Sequence, residues 1–417
     1  MATGPLSALS RADLCTVGRE YMLASHLQDR GSIPAVLRHH SMDEANQIAI
    51  EEWMTASPIY TRRMQRALGF EGADVETIFK GLQLDVGFPH QFMDVGYELF
   101  DATHGEFWLR SCGALADVTP MGHAFVTGMC HDIEDPTFDA TAAATNPHAQ
   151  MRAIHRPPGV PRGGPDCHWA VTIDDARAPA QHHPRLDDMA QSLIATLPNE
   201  PQPSTEAGGR DDYAGAFDPH FELEHLSHRA LQVVVREFAI QGHLLARALM
   251  SAVDRHYGAD EAIEAGKALF VGIAWIASER MARAMGVTDP DLAAIGRIVQ
   301  LTHLLAPSDY VGLYVAMPDP DTLTITLDTE CIGLREGDAY SLPGLLNQGN
   351  GSDIIAALVH GVNPGAVVTA SARNTWTVTT PEGADAVDEP AQVRVVRFST
   401  GPTAVLLRRS PVRSSPA

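Results

Sequence analysis

Apolar residues recur at helical spacing through "ALQVVVREFAIQGHLLARALMSAV" (230–253) and "GADEAIEAGKALFVGIAWIASERMARAMG" (258–286), the second run closing on a glycine. Each predicts a long helix. The pattern changes to alternation in "EFWLRSCGAL" (106–115) and "TLTITLDTECIGL" (322–334), which predicts strands. Strand parity sets Trp108, Arg110 and Cys112 on one face, and Cys167, Trp169 and Val171 on one face of a later strand. Asp135-Pro136 has the form of an N-cap followed by proline at the first helical position, so a helix is expected through "PTFDATAAA" until Asn146-Pro147 ends it. "QMRAIHR" and "CHWAVTI" follow as two further strands. Long helices, then an antiparallel sheet with one helix inserted, define an α+β class.

The chain also repeats itself. Residues 19–69 and 236–286 share 18 identities over 51 ungapped positions, an offset of 217. "REYMLASHLQDRG" stands opposite "REFAIQGHLLARA", and "RRMQRALG" opposite "ERMARAMG". Beyond these blocks Cys112 aligns with Cys331 after a short insertion, Asn146 with Asn363, and "CHWAVTID" with "VRVVRFST" (393–400). A fixed register across separate blocks is the mark of an internal repeat. The expected organisation is a first repeat over 1–175 and a Pro/Gly-rich linker over 176–224, with one short helix in "RLDDMAQSLIATLP". A second, degenerate repeat spans 225–409 and a tail 410–417. The two copies should pack as a pseudo-dimer, as two single-copy chains would. Arg19 with His26, and Arg236 with His243, recur seven residues apart in both copies, which favours a structural role.

Composition narrows the function classes. The net charge of −22 argues against nucleic acid and anionic membrane surfaces. No apolar run approaches 18 residues, and the N-terminus lacks a signal-peptide pattern, so a cytoplasmic protein without a membrane span is expected. Five cysteines suit free thiols or a metal better than a disulfide framework. A small-molecule substrate is the expected partner, and a homo-oligomer is compatible with the sequence.

Chemistry concentrates in "GMCHDIEDPTF" (128–138), which places Cys130, His131, Asp132 and Glu134 within five positions. The second copy has the bland "NQGNGSDIIAA" there, so the fold itself does not require the cluster. With Cys130 and His131 just ahead of the expected helix, the positive helix end would lower the thiol pKa. Glu134 would serve as general acid or base. Cys112, Cys130 and Cys167, with His131 or His168, could instead converge on a zinc ion.

"MCHDIEDPTFDATAAATNPHAQMRAIHR" and the closing "DCHWAVTID" resemble the L-2-amino-thiazoline-4-carboxylic acid hydrolase-like family. The matching positions are Cys130, Asp132, Asn146-Pro147, Cys167 and Trp169. The chain departs from that pattern in being duplicated and in carrying Pro165-Asp166 where the family has Gly-Asp. A more general resemblance connects it with vinyl-reductase-type small-molecule-binding domains. The first resemblance implies a cysteine-dependent hydrolase of a carbon–nitrogen bond in a small cyclic amidine-like or amide-like substrate. Cys130 would attack, Glu134 or His131 would move protons, and Asp132 would orient. Arg110 or Arg152 would hold a substrate carboxylate, with Asn146 and Trp169 lining the site. The alternative is a non-catalytic small-molecule-binding protein with structural zinc held by the cysteines.

Overall fold

A computed structural model describes residues 5–398 apart from 160–162, 201–202, 205 and 350. The first half runs α1 (Arg11–Leu27), α2 (Met42–Ala67), α3 (Val75–Leu82), β1 (Met93–Leu99), β2 (His104–Cys112), α4 (Glu134–Ala143), β3 (Ala149–His155) and β4 (Cys167–Ile173). The second half runs α5 (His228–Tyr257), α6 (Ala259–Ala284), α7 (Leu292–Gln300), β5 (Leu313–Asp319), β6 (Thr322–Leu327), α8 (Ser352–His360), β7 (Val367–Ala372) and β8 (Thr375–Thr379). Among the described residues, no helix is long and apolar enough to cross a membrane.

The two halves share caps as well as elements. Ser10 caps α1 and Ser227 caps α5, each side chain accepting an N–H three residues on. Asp74 and Asp291 do the same for α3 and α7. The sheets have the same antiparallel order, β1-β2-β4-β3 and β5-β6-β8-β7. These are the two tandem α+β copies that the pattern predicts.

The copies pack with pseudo-two-fold reciprocity. Arg63 on α2 reaches Glu237 on α5 through Nε (2.9 Å) and Nη2 (2.7 Å). Arg280 on α6 reaches Glu20 on α1 through Nε (2.7 Å) and Nη2 (2.9 Å). Each residue of one pair lies 217 positions from its counterpart, so residue i meets j and j meets i, the signature of an isologous contact. Around these pairs the apolar faces of α1, α2, α5 and α6 merge into one continuous core.

The halves differ where α1 ends. α5 runs unbroken to Tyr257, whereas α1 gives way to a 3-10 turn, Gln28–Gly31, and a short helix, Ile33–Val36. Pro34 has no N–H to continue the ladder. Gly31 is required by packing, since a Cβ there would lie 2.6 Å from the Ala268 carbonyl oxygen on α6. The turn therefore presents Asp29 and Arg30 away from the ladder.

Several expectations need correction. The strand expected at 393–400 is helical over 391–398, with Val393 and Val396 buried three residues apart and Val396 packed at Gly272. Its place in the sheet belongs to β8. β6 stops at Leu327, and Cys331 opens a 3-10 turn beyond it. In the linker, only Leu186–Ala190 of the expected helix forms. That segment is pinned, because Arg63 donates to the carbonyls of Ala195 and Leu197 (both 2.8 Å) and Glu336 accepts the N–H groups of Leu193 (3.1 Å) and Ile194 (3.0 Å). The expected tail, 410–417, lies outside the described residues.

Candidate functional site

A cavity of about 110 Å³ opens in the first half. His26, Asp29 and Arg30 reach it from the end of α1, Trp53 and Tyr60 from α2, and Asp85, Gly87 and Phe88 from the segment after α3. Met93, Leu109 and Cys167 line it from the sheet. Met129, Ile133, Glu134, Phe138 and Thr141 complete it from the helical segment ending in α4. An apolar cavity of about 150 Å³ accepts benzene, so this one suits a single small ring or a compact acyclic molecule.

The acids on its wall sit among apolar groups, and their protons are held accordingly. Glu134 is pushed from 4.5 up to about 8 by burial, against the pull of Arg156. Its Oε2 is buried without a hydrogen-bond partner. Burial raises Asp85 to about 6, while the Gly87 N–H (2.7 Å) and the Tyr60 hydroxyl (2.8 Å) both donate to its Oδ1 and limit the rise. Burial, reinforced by Arg30, holds His26 well below the usual imidazole range, so the ring is neutral at pH 7. Glu52, beside Asp29 and Arg30, is raised well above the carboxylate range by burial first and Asp29 second. Two cavity carboxyls thus have proton affinities that straddle neutrality, a pattern that separates acid from base.

Of the residues expected in catalysis, only Glu134 lines the cavity. Asp135-Pro136 is not a helix entrance. Residues His123–Thr127 form one helical turn, Gly128–Ile133 a π-helical turn, and α4 continues directly, with Ile133 in helical geometry and no side-chain cap. Pro136 has no N–H to offer Asp132, so it falls where the wider turn returns to α geometry. Cys130 therefore sits inside a helical stretch, packed in a small apolar cluster with Val118 and Val126. The expected lowering of its pKa is reversed: burial first, then Glu134, push the thiol well up. His131 Nε2 bonds the Pro157 carbonyl at 2.7 Å, Asp132 is exposed, and Asp135 binds Arg156.

The expected binding residues are also elsewhere. Arg110 is exposed and pairs with Asp94 (2.9 Å), and Arg152 pairs with Asp139 (2.7 Å). Trp169 is fully buried beneath Phe107 and Phe138. Asn146 donates to the Ala73 carbonyl (2.8 Å) and accepts the His148 N–H (2.9 Å), while Asn363 repeats both bonds with Pro290 and Gly365 at the same distances. The same bonds in the copy without the cluster mark a structural asparagine.

Cys112 needs a separate correction. Asp94 pairs with Ser111 but Val95 with Leu109, so Arg110 is an extra residue in β2. This bulge reverses the parity and turns Cys112 away from the Trp108–Arg110 face into the interior. There burial, then Cys167 and Glu134, raise its thiol, and Cys167 is itself pushed up to about 12 by burial and Glu134. The three thiols do gather around Glu134, as protonated groups. Among the described residues, no group of three or more His, Cys, Asp or Glu side chains is arranged to hold a metal ion.

Sequence reading missed Arg30, Asp29 and Asp85, and assigned His26 only to structure. One signal was present: Arg30 and Arg247 also stand 217 apart, four residues after His26 and His243. In the second half Arg247 is engaged by Asp338 through two bonds (2.9 and 2.7 Å). Comparison of the chain with protein-family models, curated proteins and solved structures returns no significant match.

Proposed function

We propose that the cavity of the first half hydrolyses a carbon–nitrogen bond in a small amidine-like or amide-like molecule, with water as the nucleophile. The observation that carries this reading is Glu134, a cavity carboxyl whose proton is held to about pH 8 and whose Oε2 lacks a partner. At pH 7 it is mostly protonated and able to donate to a leaving nitrogen. Asp85, at about 6, is mostly ionised and able to accept a proton. Water oxygen bonds to the electrophilic carbon as Asp85 takes one of its protons. The carbon–nitrogen bond breaks as Glu134 protonates the nitrogen, and solvent exchange resets both carboxyls.

Arg30 takes over the anchoring of a substrate anion from Arg110 and Arg152, since it alone of the three lines the cavity. Cys167 supplies a neutral wall, and Cys130 supports the helix from behind. The hydrolase class agrees with what the sequence resemblance implies, while the cysteine mechanism gives way to a carboxyl one.

The test is amine or ammonia release from a panel of small cyclic and acyclic amidines and amides. Glu134→Gln should lower turnover by about 10²–10⁴-fold with the fold retained, and Cys130→Ala should leave it within a few-fold. Turnover that survives Glu134→Gln but not Cys130→Ala would return the mechanism to the thiol. Panel compounds that bind and dissociate unchanged would favour the non-catalytic binding protein.

A further inference from the structure

Gln241 lies on α5 in the second half and is fully buried. Its Oε1 accepts the Val86 N–H at 3.0 Å, and its Nε2 donates to the Leu84 carbonyl at 3.2 Å. One side chain from the second repeat thus grips the backbone on both sides of Asp85. The donor and the acceptor of the amide each meet the complementary backbone group, so its orientation is fixed. Next along the helix, the Gly242 carbonyl accepts from Gln28 Nε2 at 2.7 Å, one residue before Asp29. The position 217 residues before Gln241 is Ala24, which has no amide to offer. The grip therefore belongs to the second copy and acts on the first.

We infer that Gln241 is a positioning residue for the cavity, through which the second repeat holds Asp85 and its neighbouring Gly87 N–H in place. This rests on the proposed role of Asp85 and adds that the site is not a property of the first repeat alone. A second copy that has lost the acidic cluster keeps a function as the fixed wall against which the cavity is built. The groups facing Asp85 are Tyr60 from α2, with Glu52 beyond it, Tyr97 from β1, and His26 beside Val86 from α1. Of these, His26 also meets the Val86 backbone, while the Val86 N–H and the Leu84 carbonyl are held by Gln241.

The test is Gln241→Met in the full chain, which keeps length and apolar volume and removes both bonds. The Asp85 carboxyl is followed by ¹³C NMR titration, with Asp85→Asn to assign its resonance. With the fold retained by circular dichroism, the Asp85 midpoint should move up by about one pH unit, because the Gly87 N–H is no longer held against the carboxylate. An unchanged midpoint in a folded variant overturns the inference. Should the variant not fold, amide exchange in the wild type decides: the Val86 and Gly87 amides should be protected to the level of α5, and fast exchange overturns the inference. Neither measurement uses turnover, so failure of the hydrolase reading and failure of this one are separately visible.

Discussion

Arg63 and Glu237 bind each other across the two halves through two nitrogen–oxygen bonds, with side chains 8% and 2% exposed. Arg280 and Glu20 repeat the pair with the halves exchanged, at 18% and 17%. The geometry is shared and the burial is not, and burial decides what a lost partner costs. Glu237→Gln leaves a guanidinium uncompensated in the interior and should destabilise the chain by about 3–5 kcal/mol. Glu20→Gln, nearer to water, should cost about 1 kcal/mol or less. Urea unfolding of the two variants checks the ranking, and equal costs would show that the seam is wetter at Arg63 than its burial indicates.

Stability should fall as pH rises through the range in which Glu134 titrates. Glu134 holds its proton more tightly folded (about 8) than unfolded, and Asp85 does so to about 6. An acid raised in this way contributes stability that is fully present below its unfolded pKa and lost as pH rises through its folded one. Above pH 7 the buried His26, His90, His243 and His303, all depressed, are neutral folded and largely so unfolded. The urea midpoint should therefore decline from pH 7 through pH 8 as Glu134 ionises, and Glu134→Gln should flatten the decline. A wild-type midpoint that rises over that interval through these groups would contradict the buried, proton-retaining Glu134.

All five cysteines are buried, and the three around Glu134 are neutral at pH 7. A thiol reagent should label none of them rapidly in the native protein and all five in denaturant. Rapid native labelling of Cys130 alone would restore it as a reactive thiol. Cys130→Ala should cost only packing, about 1–3 kcal/mol. One zinc per chain under reducing conditions, lost in Cys130→Ala, would instead make these thiols ligands.

Asn146→Ala and Asn363→Ala should each cost about 1 kcal/mol, since each breaks the same two bonds in its own copy. If Asn146→Ala instead impairs substrate binding while stability stays unchanged, Asn146 belongs to the site after all.

What the sequence determined by itself is the class and the duplication. Helical spacing, alternation and a constant offset of 217 are local or translational properties, so they are visible in one dimension. The serine and aspartate caps follow the same offset for that reason. The sequence also pointed to Glu134, as one member of a cluster whose thiol and imidazole have no counterpart in the second copy. The tertiary structure decided the rest. A bulge at Arg110 reversed the facing of Cys112, and a π-helical turn joined Cys130 to the helix it was expected to precede. Asp29 and Arg30 reach the cavity from the turn after α1, where Gly31 passes close to the Ala268 carbonyl. Asp85 gained its place from Gln241, more than 150 residues away in sequence. Proton affinities followed from burial, which depends on how segments distant in sequence pack together, and no spacing within one segment carries that information.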